Sequence, residues 1–350
     1  MELVSHYPAL NRPTDPLVSV CIANYNGEDL LPDCIESLHR QDAEFSFEII
    51  VHDDASNDGS IELLRRDYPE AEILASNENA GFCIANNRMA THARGQYVLL
   101  LNNDAALLPD ALSTLLTEAQ NYPGGAILTL PQFDWESNTL VDRGSLLDPF
   151  YNPTPNLDPE RRDVAMVIGA CFWIDCQNWQ RLGGFPEWFE SIAEDLWLCS
   201  AARLRGLPVR VLRTSGFRHR QGHSFGGNKL RAGKLATTYR RRRLSERNKT
   251  FTLLVMTPAL IMWPLLVLHL TLLLTEGLLL AVVRMDARIA REVYLPLFPA
   301  LAKNWRKLQR ERNLLQKQRA ASLIEYWRVF TFVPRKLVLL FRHGWPHVDA

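Results

Sequence analysis

Four groups of polar side chains each close an apolar, strand-like run. Leu17 to Ala23 ends in Asn24-Tyr25-Asn26-Gly27, and Phe47 to Val51 runs into His52-Asp53-Asp54-Ala55-Ser56-Asn57-Asp58-Gly59-Ser60. Ile73 to Ala75 precedes Asn77 to Gly81, and Tyr97 to Leu101 stops in Asn102-Asn103-Asp104. Oxygen-bearing side chains gathered in this way suit a hard divalent cation, and the cation in turn suits a phosphate. The plainer alternative is four turns, since Asn, Asp and Gly are turn formers.

The elements needed to bring these groups together are legible between them. Leu31, Cys34, Ile35 and Leu38 recur at helical spacing, as do Phe82, Ala85 and Met89, so helices with one buried face alternate with the strands. Such alternation predicts a doubly wound α/β sheet. Tyr97 to Leu101 has no polar residue, as expected of a central strand covered on both faces. Ligands of open α/β sheets sit at the carboxyl ends of the strands, which is where all four polar groups fall. There is no Gly-x-Gly-x-x-Gly and no Walker loop, which argues against dehydrogenase and P-loop chemistry. Residues 1–16, with three prolines, read as an irregular leader.

The formal net charge of zero hides a segregation. Residues 1–199 carry 10 Lys and Arg against 32 Asp and Glu, and residues 200–350 carry 29 against 7. An acidic half suits metal-assisted chemistry and a basic half suits an anionic surface. The N-terminus has neither a basic nor an apolar signal region, so a cytosolic location is expected. Six cysteines without a C-x-x-C pair read as reduced, mostly buried thiols.

Taken in order and at their spacing, the motifs resemble the family-2 glycosyltransferases of GT-A fold, especially the bacterial rhamnosyltransferase-like branch, over residues 17 to about 250. Val18 to Asn26 resembles the family's opening strand and Tyr-Asn turn, and Asp53 to Ser60 its second-strand motif. Asn79-Ala80-Gly81-Phe82 with Asn86 resembles its Asn-x-Gly-Phe helix start, and Leu101 to Asp104 its Asp-x-Asp region. Further on, Met166 to Ile174 is similar to the strand beneath the acceptor, and Leu182-Gly183-Gly184-Phe185 to the Gly-Gly-Phe turn. Glu194-Asp195 matches the Glu-Asp pair, and His219 to Ser224 the His-x-x-Gly-x-Ser segment. Asn102, Pro186 and Trp197 stand where the family often has Asp.

The resemblance implies a GT-A domain over residues 17–238, with a nucleotide-binding part (17–130) and an acceptor-binding part (131–238). It implies a nucleoside-diphosphate-sugar donor, a glycan or polyprenyl-diphosphate-linked acceptor, and Mg2+ or Mn2+ as cofactor. Asp104 would be the metal ligand, with His219 completing the site. Asp53 would bind base or ribose with Ala23 and Tyr25 beside it, and Gly81, Asn86, Asn102 and Asn103 would line the donor. Asp195 would take the proton of the attacking hydroxyl, with inversion at the anomeric carbon. For Asp58 with Ser60, a capped corner is the expected role, and for His223 a structural one. A processive polysaccharide synthase is an alternative, although the Gln-x-x-Arg-Trp motif is missing; a scaffold that kept the fold and lost the chemistry is another.

Residues 239–350 read as a basic, apolar, helical membrane-associating region. Thr250 to Val283 has Glu276 as its sole formal charge, long enough to span a bilayer. Pro258 and Pro264 interrupt it, and both flanks are basic: Arg240 to Arg243 before, and Arg284, Arg288, Arg291 and Lys303 to Arg319 after. A single crossing would put one basic flank outside. A monotopic or re-entrant arrangement on the cytoplasmic face is therefore expected, with Lys303 to Arg319, which carries Trp305, Leu308 and Leu314 among many cations, as an amphipathic helix on anionic lipid. The arginine cluster could meet the acceptor's diphosphate. No recognition motif supports nucleic acid as the partner.

Overall fold

The computed structural model describes residues 4–220, 229–231 and 234–349. The chain forms two compact units, one of Met1–Ser145, Pro155–Ser191 and Leu207–Ser224, the other of Leu146–Thr154, Ile192–Gly206 and Phe225–Ala350. Gly222, His223 and Ser224 lie outside the described residues.

The first unit is an α/β layer structure. Its strands are β1 (Val4–Tyr7), β2 (Val18–Asn24), β3 (Phe47–Asp53), β4 (Ala71–Ser76), β5 (Tyr97–Asn102), β6 (Ala105–Leu107), β7 (Ile127–Thr129), β8 (Gln132–Asp134), β9 (Leu140–Asp142), β10 (Cys171–Asp175), β11 (Val209–Val211) and β12 (Phe217–His219). Eight of them form one mixed sheet in the order β1-β4-β3-β2-β5-β10-β7-β11. Strands β4, β3, β2 and β5 run parallel and are connected by α1 (Leu31–His39), α2 (Ser60–Asp67) and α3 (Phe82–His92), while α4 (Ala111–Ala119) follows β6 and α5 (Cys176–Leu182) follows β10. The chain builds outward from β2 through β3 and β4, then returns to lay β5 on the other side of β2. Strand order therefore reverses between β2 and β5, which makes that crevice the topological switch point.

Side-chain alternation explains the layers. Val18, Val20 and Ile22 of β2 join Leu99 and Leu101 of β5 in a core with Leu31, Ile35 and Leu38 of α1 and Leu64 of α2. Full burial of each such side chain contributes about 1.5–3 kcal/mol. Strand β10 pairs antiparallel with β5, Cys171 opposite Leu101. A second sheet, β6-β12-β8-β9, brings β12 beside the residues that follow β5.

One part of the supposed leader is ordered differently. Val4–Tyr7 is an antiparallel edge strand, with Tyr7 opposite Ile73 of β4. The three prolines all follow it, so they end the strand without interrupting it.

The second unit is helical, with α6 (Glu194–Leu204), α7 (Tyr239–Met256), α8 (Ala259–Val283), a π-helical turn (Ile289–Tyr294) and α9 (Leu297–Lys317). Helix α7 stops at Thr257-Pro258, and its last carbonyls are satisfied from α9. Buried Arg312 donates from one Nη1 to the carbonyls of Leu254 (2.6 Å) and Thr257 (2.7 Å), and Gln316 Nε2 donates to those of Val255 (3.0 Å) and Met256 (3.1 Å). Helix C-termini leave such carbonyls without internal partners, and a cation there also complements the dipole. Helix α8 buries a single stripe, Met262, Leu266, His269, Leu273, Gly277 and Leu280. Much of the rest of its surface is apolar and exposed, including Leu260, Trp263, Val267, Leu268, Leu272, Leu278 and Leu279. Among the described residues it is the one helix long and apolar enough to cross a membrane. Helix α9 turns Leu301, Leu308 and Leu315 inward. Leu308 is thus protein core, not part of a lipid-facing stripe.

Replacing Arg312 by Met keeps much of the aliphatic bulk but strands two or three buried carbonyls. The variant is expected to lose roughly 2–3 kcal/mol of stability, read as a lower urea midpoint. A midpoint unchanged from wild type would show that the cap contributes nothing.

Candidate active site

The carboxyl ends of β3, β2 and β5 are tied by one chain of hydrogen bonds. Asn24 Nδ2 donates to Asp53 Oδ2 at 2.9 Å, and Asn24 Oδ1 accepts from Asn103 Nδ2 at 2.8 Å. Asp53 also accepts from Ser56 N (3.0 Å) and Ser56 Oγ (2.6 Å). Its carboxylate is wholly buried and faces this network. Gly27 makes the arrangement possible, because a Cβ there would lie 2.2 Å from Asn103 Nδ2 and 2.3 Å from Asn24 Oδ1. Ala23 is half-buried at the end of β2 and Tyr25 is exposed.

Asp54 links the second loop to the third. Its two oxygens accept from Ala80 N at 2.8 Å and Gly81 N at 2.9 Å. Gly81 has φ +90°, a conformation that favours glycine at this entry to α3. Beneath this corner His52 is pushed down to about 4, by burial first, so its imidazole is neutral at pH 7. Asp58 accepts from Glu28 N, Ser60 N and Ser60 Oγ, as a capped corner should.

Asn86 is buried and donates from Nδ2 to the Phe82 carbonyl one turn back, at 2.8 Å. Its neighbour Asn87 makes the longer connection. It donates to the Phe185 carbonyl and accepts from Phe185 N, both at 2.9 Å, clasping the Gly-Gly-Phe turn. Gly184 is needed there, with φ +65° and a virtual Cβ 2.6 Å from Asn87 Oδ1.

Past the end of β5, Asp104 is buried and its Oδ1 lies 3.1 Å from His219 Nε2. His219 is carried by β12, opposite Ala105 of β6 and Asp134 of β8. Gln132 Nε2 stands 3.3 Å from His219 Nδ1 and fixes the ring's far side. A buried carboxylate and imidazole converging in this way fit a divalent ion that accepts oxygen and nitrogen ligands. Asn102 is half-buried, and its carboxamide has no hydrogen-bond partner among the described residues. The Arg220 guanidinium stacks 4.0 Å from the Trp135 ring centroid and pairs with Asp33.

Asp195 belongs to the second unit. It opens α6 beside Glu194, both buried, and Asp195 Oδ1 accepts from Leu196 N at 2.7 Å. Burial, and then the charge of Asp195, push the Glu194 carboxyl up to about 8, against the opposing pull of Arg241. Two carboxylates this close in a buried place do not both ionise readily. Arg241 comes from α7 and is held below its ordinary range by burial. Arg242, next along the helix, is used internally: it pairs with Glu276 at 2.6 Å and donates to Tyr294 Oη at 2.8 Å.

A mixed sheet with a switch-point crevice in its parallel half, and a buried Asp–His pair beside it, defines the first unit as a GT-A fold. GalNAc-T7 in complex with UDP, GalNAc and Mn2+ shares that fold, with a TM-score of 0.54 at 14% identity over 69% of this chain and 48% of that one. Residues 19–182 match the model of Glycosyl transferase family 2, and the chain carries a domain of that family. Among relatives, a chondroitin synthase of Pasteurella multocida is 28% identical over 52% of this chain and 18% of its own length. An N-acetylglucosaminyl-diphospho-decaprenol L-rhamnosyltransferase of Mycobacterium tuberculosis is 24% identical over 51% of this chain and 68% of its own. The chain thus spans less than a fifth of the synthase.

The Glu194 environment has a pH signature. Folded Glu194 keeps its proton up to about 8, whereas the ordinary glutamate value is 4.5. Its contribution to stability is complete below the ordinary value and is lost as pH rises through the folded one. Glu194→Gln removes the titration, so its Tm relative to wild type should increase between about pH 5 and about pH 9. A constant difference across that range would refute the assignment.

Proposed function

We propose that this protein moves one sugar from a nucleoside-diphosphate-sugar to a hydroxyl of a glycan or polyprenyl-diphosphate-linked acceptor in cell-envelope polysaccharide synthesis. The observation that carries the reading is the buried Asp104–His219 pair beyond β5, at the switch point of a family 2 domain. The name of the mycobacterial relative, which acts on a decaprenol-linked sugar, supports the acceptor class.

Asp104 and His219 would hold Mg2+ or Mn2+. An ion held there would supply Lewis-acid stabilisation of the charge on the leaving diphosphate. Asn102 lies at the same strand end, where its carboxamide can donate to ribose or phosphate oxygens, while Asn103 gives its amide to Asn24 and holds the loop in place. The acceptor oxygen forms a bond to the anomeric carbon as the carbon–oxygen bond to the diphosphate breaks. The electron pair leaves with the diphosphate, the hydroxyl proton passes to Asp195, and the anomeric centre inverts. Glu194, holding its own proton, leaves Asp195 as the acceptor of that proton.

Two variants separate these roles. Asp104→Ala is expected to abolish metal-dependent donor binding by calorimetry, and transfer with it. Asp195→Asn should bind donor as wild type does while kcat falls by at least about 100-fold. Donor binding and turnover like wild type in both would sink the assignments. A wild-type protein that binds no nucleotide-sugar with either metal would favour the scaffold reading.

The exposed apolar face of α8 supports a monotopic or re-entrant seat on the cytoplasmic side of the membrane. Exposed Lys303, Arg306 and Arg310 of α9 supply cations for anionic headgroups. The triple variant Leu268→Ser, Leu272→Ser, Leu279→Ser changes only exposed positions. It is expected to lose flotation with anionic phospholipid vesicles at an unchanged Tm; full flotation would reject the seat.

A further inference from the structure

At the opposite end of the sheet from the donor loops, three side chains meet with no role in sugar transfer. Glu72 is the second residue of β4 and is buried, while His6 comes from edge strand β1 and His92 from the last turn of α3. His6 Nε2 lies 2.6 Å from Glu72 Oε1, and His92 Nε2 approaches the same oxygen. The two rings are set edge to face, with centroids 5.1 Å apart and planes at 70°. Among the described residues this is the one group of three potential ligand atoms within 4.8 Å of one another. Its place in the sheet is distinct. Strands β3 and β4 are parallel, with Ile50 opposite Glu72 and Asp53 opposite Ala75, so the cluster lies about 10 Å back along the strands from the level of Asp53.

We propose that His6, Glu72 and His92 form a zinc site that fastens the N-terminal edge strand to α3 and β4. The donor set is two imidazoles and one carboxylate, the borderline mixture that Zn2+ takes with a fourth position left to water. Tetrahedral bonds of about 2.0–2.1 Å place ligand atoms about 3.3 Å apart. The 2.6 Å separation of His6 Nε2 from Glu72 Oε1 reaches that spacing by opening about 0.7 Å.

The surrounding groups are arranged as an outer shell should be. The Arg12 guanidinium lies against Glu72 Oε2, which leaves Oε1 to face the imidazoles as a single-oxygen ligand. Arg12 also donates to buried Glu48 Oε2 at 2.9 Å, an oxygen it shares with Arg94, so two guanidiniums and two carboxylates balance one another beside the imidazoles. The exposed sides of His6 and His92 give an ion entry from solvent, while Glu72 anchors the site inside. Fastening is the function such a site serves best here. Strand β1 is only four residues long and pairs with a single neighbour, and isolated edge pairing of that length is weak.

Calorimetry with Zn2+ on EDTA-stripped full-length protein tests the proposal. The Asp104→Ala background keeps the Asp104–His219 pair from contributing. One equivalent of tight Zn2+ is expected there, with a higher Tm and, for Co2+, visible absorption of a low-coordinate site. His6→Ala, at a partly exposed edge, and His92→Ala should each weaken binding at least about tenfold and lose the zinc-dependent Tm shift. Failure of the Asp104→Ala protein to bind Zn2+, or binding unaltered in both histidine variants, would overturn the site. The outcome does not depend on sugar transfer.

Discussion

The first unit depends on a single carboxamide. Asn24 ends β2 between two parallel neighbours, and its two polar atoms reach opposite ways, to Asp53 on β3 and to Asn103 beyond β5. A parallel sheet diverges at its ends, and loops there would otherwise settle independently. The bridge converts three loops into one body, and it can form only because residue 27 has no side chain. The cost is that Asp53, which resembles a nucleotide ligand in sequence, spends its carboxylate inward. What the network presents outward is the fixed position of the loop carrying Asn102, Asn103 and Asp104. From there Asp104 meets His219 of the second sheet, and the Asp104 carbonyl accepts from Arg220 N at 2.9 Å.

Most of the sheet was legible in the sequence because it is written in local chemistry. Continuous apolar runs and the helical spacing of Leu31, Cys34, Ile35 and Leu38 require no tertiary knowledge. The edge strand Val4–Tyr7 was not legible, since four residues near three prolines carry no periodic signal and their pairing is with β4, almost seventy residues on. The site divides in the same way. Asp104 was marked by its place after a buried strand, but its contact with His219 joins residues 115 apart. Asn87 passed unnoticed beside Asn86 because only the phase of α3 against the Gly-Gly-Phe turn decides which carboxamide reaches it. Two adjacent asparagines look alike in sequence. A Cβ excluded by Asn87 at Gly184 is a signal visible only in three dimensions.

The C-terminal helices show why hydropathy alone misassigns faces. Leu308 has the composition of a lipid-facing residue within a cationic helix, yet it is fully buried against protein. Helix α8 does the reverse, burying one stripe and exposing leucines around it. Glu276 would be costly on such a helix, but Arg242 and Lys336 each meet one of its oxygens at 2.6 Å. The neutralised carboxylate lets the helix stay apolar toward the outside while keeping a polar lock inside.

That pairing also changes the meaning of the charge segregation. Read as a surface property, the excess of Lys and Arg after residue 199 would predict a strongly cationic face. Several of those cations are used within the fold. Arg242 holds Glu276, Arg312 caps α7, and Lys249 is buried against Glu246 at 3.2 Å and Asn152 at 2.6 Å. In the acidic half, Glu48, Glu72, Asp53, Asp54 and Asp104 are likewise buried and partnered. Buried charges are retained where each finds a partner, and those charges no longer contribute a free surface field. The cations left to act at long range are the exposed ones, such as Lys303, Arg306 and Arg310 on α9. Salt screens the reach of these exposed charges beyond a Debye length. The exposed apolar face of α8 is a surface of the other kind, indifferent to salt screening.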